Sequence, residues 1–165
     1  MLLSELLRPD LIKMRLEAVS KKEAVAELVD LLIQQYEISL AQRAAILEAL
    51  EEHDAKVSSG LAHEIALPHA YTDRVEDIIA ALGIAPNGIP FDSPDGSLAK
   101  VVVLLLLPKR HFTADVRTLA GVAHLLDSPQ LRAALLEAQT PLAAYEIIKD
   151  AEASLLTRTA SSTHS

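Results

Sequence analysis

The stretch KVVVLLLLP, Lys100 to Pro108, decides the architecture of this chain. From Val101 onward it is apolar at every position, with no alternation of polar and apolar residues. A half-wet strand or a surface helix would show polar residues at a fixed period, so the segment predicts a central strand covered on both faces. Periodicity alone leaves a buried helix open at this length. Asp77 to Ala85 is a second, Ile-rich run of the same kind, and both runs are bounded by Pro or Gly. Between them PNGIPFDSPDG reads as loop, with turn signals at Asn87-Gly88 and Asp95-Gly96 and a brief edge strand at Ile89-Pro90-Phe91.

Helices flank these strands. Ser20-Lys21-Lys22-Glu23 has the form of a capping box. Behind it Val25, Leu28, Val29, Leu32 and Ile33 share one face, which predicts a helix over 21–36. Ser39 to Gln42 repeats the capping pattern and opens a helix with Ile46, Leu47 and Leu50 inward, fading near His53-Asp54. Farther on, Val116, Leu119, Ala120, Ala123 and Leu126 make one stripe. Ser128-Pro129 and Thr140-Pro141 each pair an N-cap with proline at the first helical position, so two more helices start there. TRTASSTHS, residues 157–165, predicts a disordered polar tail after a single domain over 1–156. The order helix, helix, strands, helices predicts a three-layer α/β sandwich with a central mixed sheet.

Composition narrows the function. The chain has 165 residues, half of them hydrophobic but only 3% aromatic, so Leu, Ala, Ile and Val must build the core. A formal charge of −8 argues against a general nucleic-acid binder and against docking on an anionic membrane. The absence of cysteine excludes disulfides, thiolate metal sites and thiol nucleophiles. Met1 to Glu5 lacks a basic segment followed by a long apolar run, and Val101 to Pro108 is far shorter than a membrane span. A soluble cytoplasmic domain is expected.

Histidine then carries most of the remaining chemistry, and there are six. His53 closes a helix, where an imidazolium favours the negative end of the dipole. His63 lies in a loop, His111 in a basic turn, His124 on the polar flank of a helix and His164 in the tail. His69 differs. In EIALPHAYTD, Glu64 to Asp73, the run Ile65-Ala66-Leu67 reads as a short buried strand that Pro68 stiffens and ends at His69. Ligands of open α/β sheets gather at such strand ends. A histidine simply hydrogen-bonded into a loop fits the local sequence equally well.

Three further blocks extend the pattern. SSGLAHEIALPHA, followed by GIPFDSPDG and VVVLLLLP, resembles the enzyme IIA domain of the fructose, mannitol and nitrogen-related type of the bacterial sugar phosphotransferase system. The resemblance runs from roughly Leu3 to Ile148. It implies that His69 accepts a phosphoryl group from the phosphocarrier protein HPr, without a cofactor, and that Ser58 and Ser59 hydrogen-bond the phosphoryl oxygens. The phosphoryl group would then pass to a sugar-transport enzyme IIB domain, or stay as a regulatory mark. Two positions depart from the family pattern: His53 stands in place of an arginine, and Asp115 in place of a second histidine. Ala70 and Ala62-His63-Glu64 replace residues that are usually glycine. An ionised Asp115 about 4 Å from the phosphoryl group would oppose it by roughly 4 kcal/mol per charge pair at an effective dielectric of about 20. Slow or partial phosphorylation is therefore expected, and a degenerate interaction module that carries no phosphate is the alternative. A third reading gathers His53, His63, His69 and Asp115 around a divalent metal.

Overall fold

A computed structural model describes residues 1–163, with their side chains except at residues 111–112 and 159–163. Its strands are β1 (Ile12–Lys13), β2 (Gly60–Leu61), β3 (Ile65–Ala66), β4 (His69–Thr72), β5 (Ile79–Ile89) and β6 (Ala99–Pro108). Its helices are α1 (Leu3–Leu6), α2 (Lys21–Gln34), α3 (Arg43–Lys56), α4 (Phe112–Leu126), α5 (Pro129–Glu137) and α6 (Pro141–Thr163). The sheet order is β1-β5-β6-β3-β2, with β4 also paired to β6. β5 and β6 are antiparallel, whereas β3 and β4 run parallel to β6, so the sheet is mixed as expected.

β6 is the axis of this arrangement. Every residue from Val101 to Leu107 is buried on one face or the other, which only helices on both faces can achieve. α2 and α3 pack on each other and against β5 and β4, while α4, α5 and α6 form a second group on β6, β5 and β1. Among the described residues, no helix is long and apolar enough to cross a membrane.

Local chemistry explains the boundaries. Ser20 Oγ accepts the Glu23 N–H at 3.2 Å, while the Glu23 carboxylate reaches back one residue beyond the expected partner, to the Val19 N–H at 3.1 Å. α3 outlasts its predicted fade at His53-Asp54 and ends at Lys56. Asn87-Gly88 makes no hairpin. β5 continues through it as a bulge, with a register shift between Ile84 and Ile89 and Gly88 at φ +78°. Ile89 thus ends β5 instead of forming a separate edge strand.

The stripe expected on α4 is displaced in part: Leu126 is buried and Leu119 and Ala123 pack against the core, but Ala120 is exposed. Asp115, Thr118, Val122, Leu125 and Leu126 are the buried positions, and Val116 is 40% exposed. Two inward polar residues disguised the true face. At the C-terminus α6 runs past Leu156 to Thr163, and Thr157 Oγ1 donates to the Ala153 carbonyl at 3.0 Å. No Pro or Gly in TRTASST stops it, so a helical backbone occupies 157–163, where the polar composition suggested disorder. His164 and Ser165 lie outside the described residues.

Candidate functional site

The site grows from one interrupted strand. β3 and β4 share a single register along β6, with Ala66 opposite Val102 and His69 opposite Leu105. Pro68 has no N–H to give the ladder, but its carbonyl accepts from Leu105 N at 3.0 Å, so the line resumes at once. His69 is therefore the first residue of β4 rather than the mouth of a loop. Ala70 and Thr72 point into the core, leaving His69 and Tyr71 half-buried on the opposite face.

α3 packs over that face and brings His53 to His69. The two Nε2 atoms are 2.9 Å apart, with ring centroids at 4.3 Å and planes tilted by 58°. His69 Nδ1 lies 2.7 Å from the Leu67 carbonyl. A carbonyl only accepts, so Nδ1 carries the proton and Nε2 presents a bare lone pair. His53 must then donate its Nε2–H to that lone pair. Burial lowers the His69 pKa below its ordinary 6.5; the Leu67 carbonyl opposes this, and the charge of His53 adds to the lowering. The result is a neutral imidazole with its nucleophilic nitrogen held by one donor.

Tyr71 and Asp115 complete the corner. The Tyr71 ring meets His53 edge-on, with centroids 6.4 Å apart and planes at 69°. Burial raises the Tyr71 phenol pKa, and the charge of nearby Asp115 raises it further. Asp115 itself is only 2% exposed, on the inward face of α4. Sequence reading missed Tyr71, although its place two residues after His69 on a strand is the signal that could have found it.

The serines are engaged elsewhere. Ser59 donates both its N–H (2.9 Å) and its Oγ–H (2.7 Å) to Asp54 Oδ1. Lys21 Nζ holds the other Asp54 oxygen at 2.8 Å and Asp92 at 2.9 Å. Burial alone would raise the Asp54 carboxyl, but Lys21 and Ser59 outweigh it and keep the pKa below 3.8. Ser58 Oγ donates to the Phe91 carbonyl at 3.2 Å. At Gly60 a Cβ would stand 2.2 Å from that same carbonyl, so only glycine fits. Asp54, another residue the sequence reading passed over, is what fixes this loop.

The turn into β3 is built without glycine. His63 and Glu64 sit at φ +65° and +68°, and their N–H groups bond Asp95 Oδ2 at 3.0 Å and Ser97 Oγ at 3.1 Å. Hydrogen bonds from Ser97 and from the His63 N–H lower the Asp95 pKa to about 2. Among the described residues, no three His, Cys, Asp or Glu side chains converge to hold a metal. This corrects the reading of His53, His63, His69 and Asp115 as a metal site: His63 is exposed and held in its turn, and His53 is spent on His69. A cavity of about 370 Å³ lies behind Pro68, between α2 and α3, but His69 does not line it.

Comparison with known proteins converges on one group. Residues 5–151 match the family model described as phosphoenolpyruvate-dependent sugar phosphotransferase system, EIIA 2. A curated relative, the fructose-specific EIIABC component of Bacillus subtilis, is 29% identical over 148 residues, covering 90% of this chain and 23% of its own length. The chain therefore spans about a quarter of that relative. The nitrogen regulatory protein IIA-Ntr of Neisseria meningitidis superposes with a TM-score of 0.80 at 24% identity, over 88% of this chain and 98% of its own. The mannitol enzyme IIA of Escherichia coli, solved in complex with phosphorylated enzyme IIB, gives 0.73 at 16% identity, over 87% and 97%.

Proposed function

The chain belongs to the EIIA 2 family of the phosphoenolpyruvate-dependent sugar phosphotransferase system, and from that premise we propose that it is a phosphohistidine carrier or regulatory module charged on His69 Nε2. The supporting observation is the pinned tautomer: the Leu67 carbonyl accepts from Nδ1–H and leaves the Nε2 lone pair to the His53 donor. In the transfer that lone pair attacks the phosphorus of the donor HPr. The bond from phosphorus to its previous carrier breaks, and its electron pair stays with that carrier. His69 keeps Nδ1–H, so no proton leaves the ring. His53 Nε2–H releases the nitrogen and turns to a phosphoryl oxygen, a donor aimed where charge develops. The onward acceptor is an enzyme IIB domain or a regulated protein.

The burial of Asp115 beside this corner favours a second reading, an interaction module that is never charged. One experiment separates them. Incubation with phosphoenolpyruvate, the upstream kinase and HPr yields an acid-labile, base-stable label that is lost in His69→Ala. The wild type is labelled slowly or incompletely, and Asp115→His with His53→Arg raises both rate and extent. Label that survives His69→Ala overturns the site; no label under any condition leaves the interaction module.

A further inference from the structure

We propose that Tyr71 is a positioning residue of the acceptor corner: its ring holds His53, the donor to His69 Nε2, in place. Its rate test rests on the phosphoacceptor reading; its tautomer test does not.

Tyr71 shares its strand face with His69 and its edge-on contact with His53, so it touches the donor of the Nε2 hydrogen bond from the side. An imidazole at the end of a helix, on a side chain with two rotatable bonds, needs such a wall to keep one nitrogen on its target.

Two readouts test this on the full chain. Imidazole 15N spectra need no phosphate. In the wild type they report Nδ1–H for His69 and Nε2–H for His53. Tyr71→Ala converts both rings to tautomer mixtures while the thermal transition stays cooperative, and Tyr71→Leu serves if the alanine variant does not fold. Tyr71→Phe keeps the wild-type tautomers. Unchanged tautomers in the alanine or leucine variant overturn the positioning role.

The second readout is the initial labelling rate from HPr. Tyr71→Ala slows it about tenfold, whereas Tyr71→Phe, which keeps the ring, stays within about twofold of wild type. Equal slowing in both variants, or none in the alanine variant, overturns the positioning role. If the wild type takes no label at all, the phosphoacceptor reading falls, while the tautomers still decide the positioning role.

Discussion

His53 and Asp54 are neighbours on the last turn of α3, yet their side chains enter polar clusters of opposite character. Asp54 takes three donors, and Lys21 is divided between Asp54 and Asp92. Burial would raise the Asp54 pKa and lower that of Lys21, but the partners prevail and move both the other way. The clasp is driven toward full charge. Across the backbone the direction reverses: burial lowers His69, and burial with the Asp115 charge raises Tyr71. His69 and Tyr71 are thereby driven toward their neutral forms. Charged pairs here fix the chain, and the neutral groups beside them remain available for chemistry.

The largest break in this comparison is expected from Asp54→Ala. It leaves Lys21 short of one acceptor and strands the Ser59 N–H and hydroxyl, a loss of about 2–3 kcal/mol. Urea unfolding checks the figure. The sign with pH follows from the lowered Asp54 pKa. Its contribution is complete above 3.8, the value of the free group, and is lost as pH falls through the lower folded value. Wild type and Asp54→Asn should therefore converge in stability under acid. If the difference persists below that range, Asp54 acts through packing and not through charge.

Ser59→Ala sharpens the same contrast at a smaller scale. It removes one charge-assisted hydrogen bond to Asp54 and costs about 1–2 kcal/mol. Because the Ser59 hydroxyl proton is already committed, the rate of His69 labelling should stay within about twofold of wild type. A tenfold fall in rate with little change in stability would return Ser59 to the phosphoryl-binding role that its place in the pattern implied.

What the sequence made legible follows the same division. α2 was readable because its hidden residues, Leu28, Val29 and Leu32 among them, are all apolar and repeat at helical spacing. β6 was readable because both faces are covered, which leaves no polar interruption. α4 was read only in part: Leu126 is buried and Leu119 and Ala123 pack against the core, whereas Val116 and Ala120 are exposed and Asp115 and Thr118 take buried positions. His69 was found through Ile65-Ala66-Leu67-Pro68-His69, a local signal. Its partners were not local: the His53 contact spans a helix end and a strand start, and the Tyr71–Asp115 approach depends on α4 returning over β6. Asn87-Gly88 carried a strong turn signal, but pairing of Ile89 with Ala99 prevailed and converted the turn into a bulge.

The smallest effect expected concerns His69 alone and tests whether burial drives its ring toward neutrality. Its folded pKa is lowered from 6.5, chiefly by burial and further by the charge of His53, against the pull of the Leu67 carbonyl. Above 6.5 the ring is neutral both folded and unfolded, so it contributes no pH dependence. As pH falls below 6.5 the unfolded chain takes the proton first, and stability declines until the folded pKa is reached. Below that point the penalty is constant. Most carboxylates titrate at lower pH, and the histidines outside the corner affect wild type and variant alike. The difference between wild type and His69→Gln isolates the term, apart from the change at His53 that follows loss of its acceptor. An NMR titration of both rings in the wild type separates the two. Stability of the wild type relative to His69→Gln should fall between pH 6.5 and the measured His69 midpoint, and that midpoint should lie under 6.5. A midpoint above 6.5 would mean that the imidazolium is favoured. The Nε2 lone pair would then be largely protonated near neutral pH, and the corner would hold a cation in place of a nucleophile.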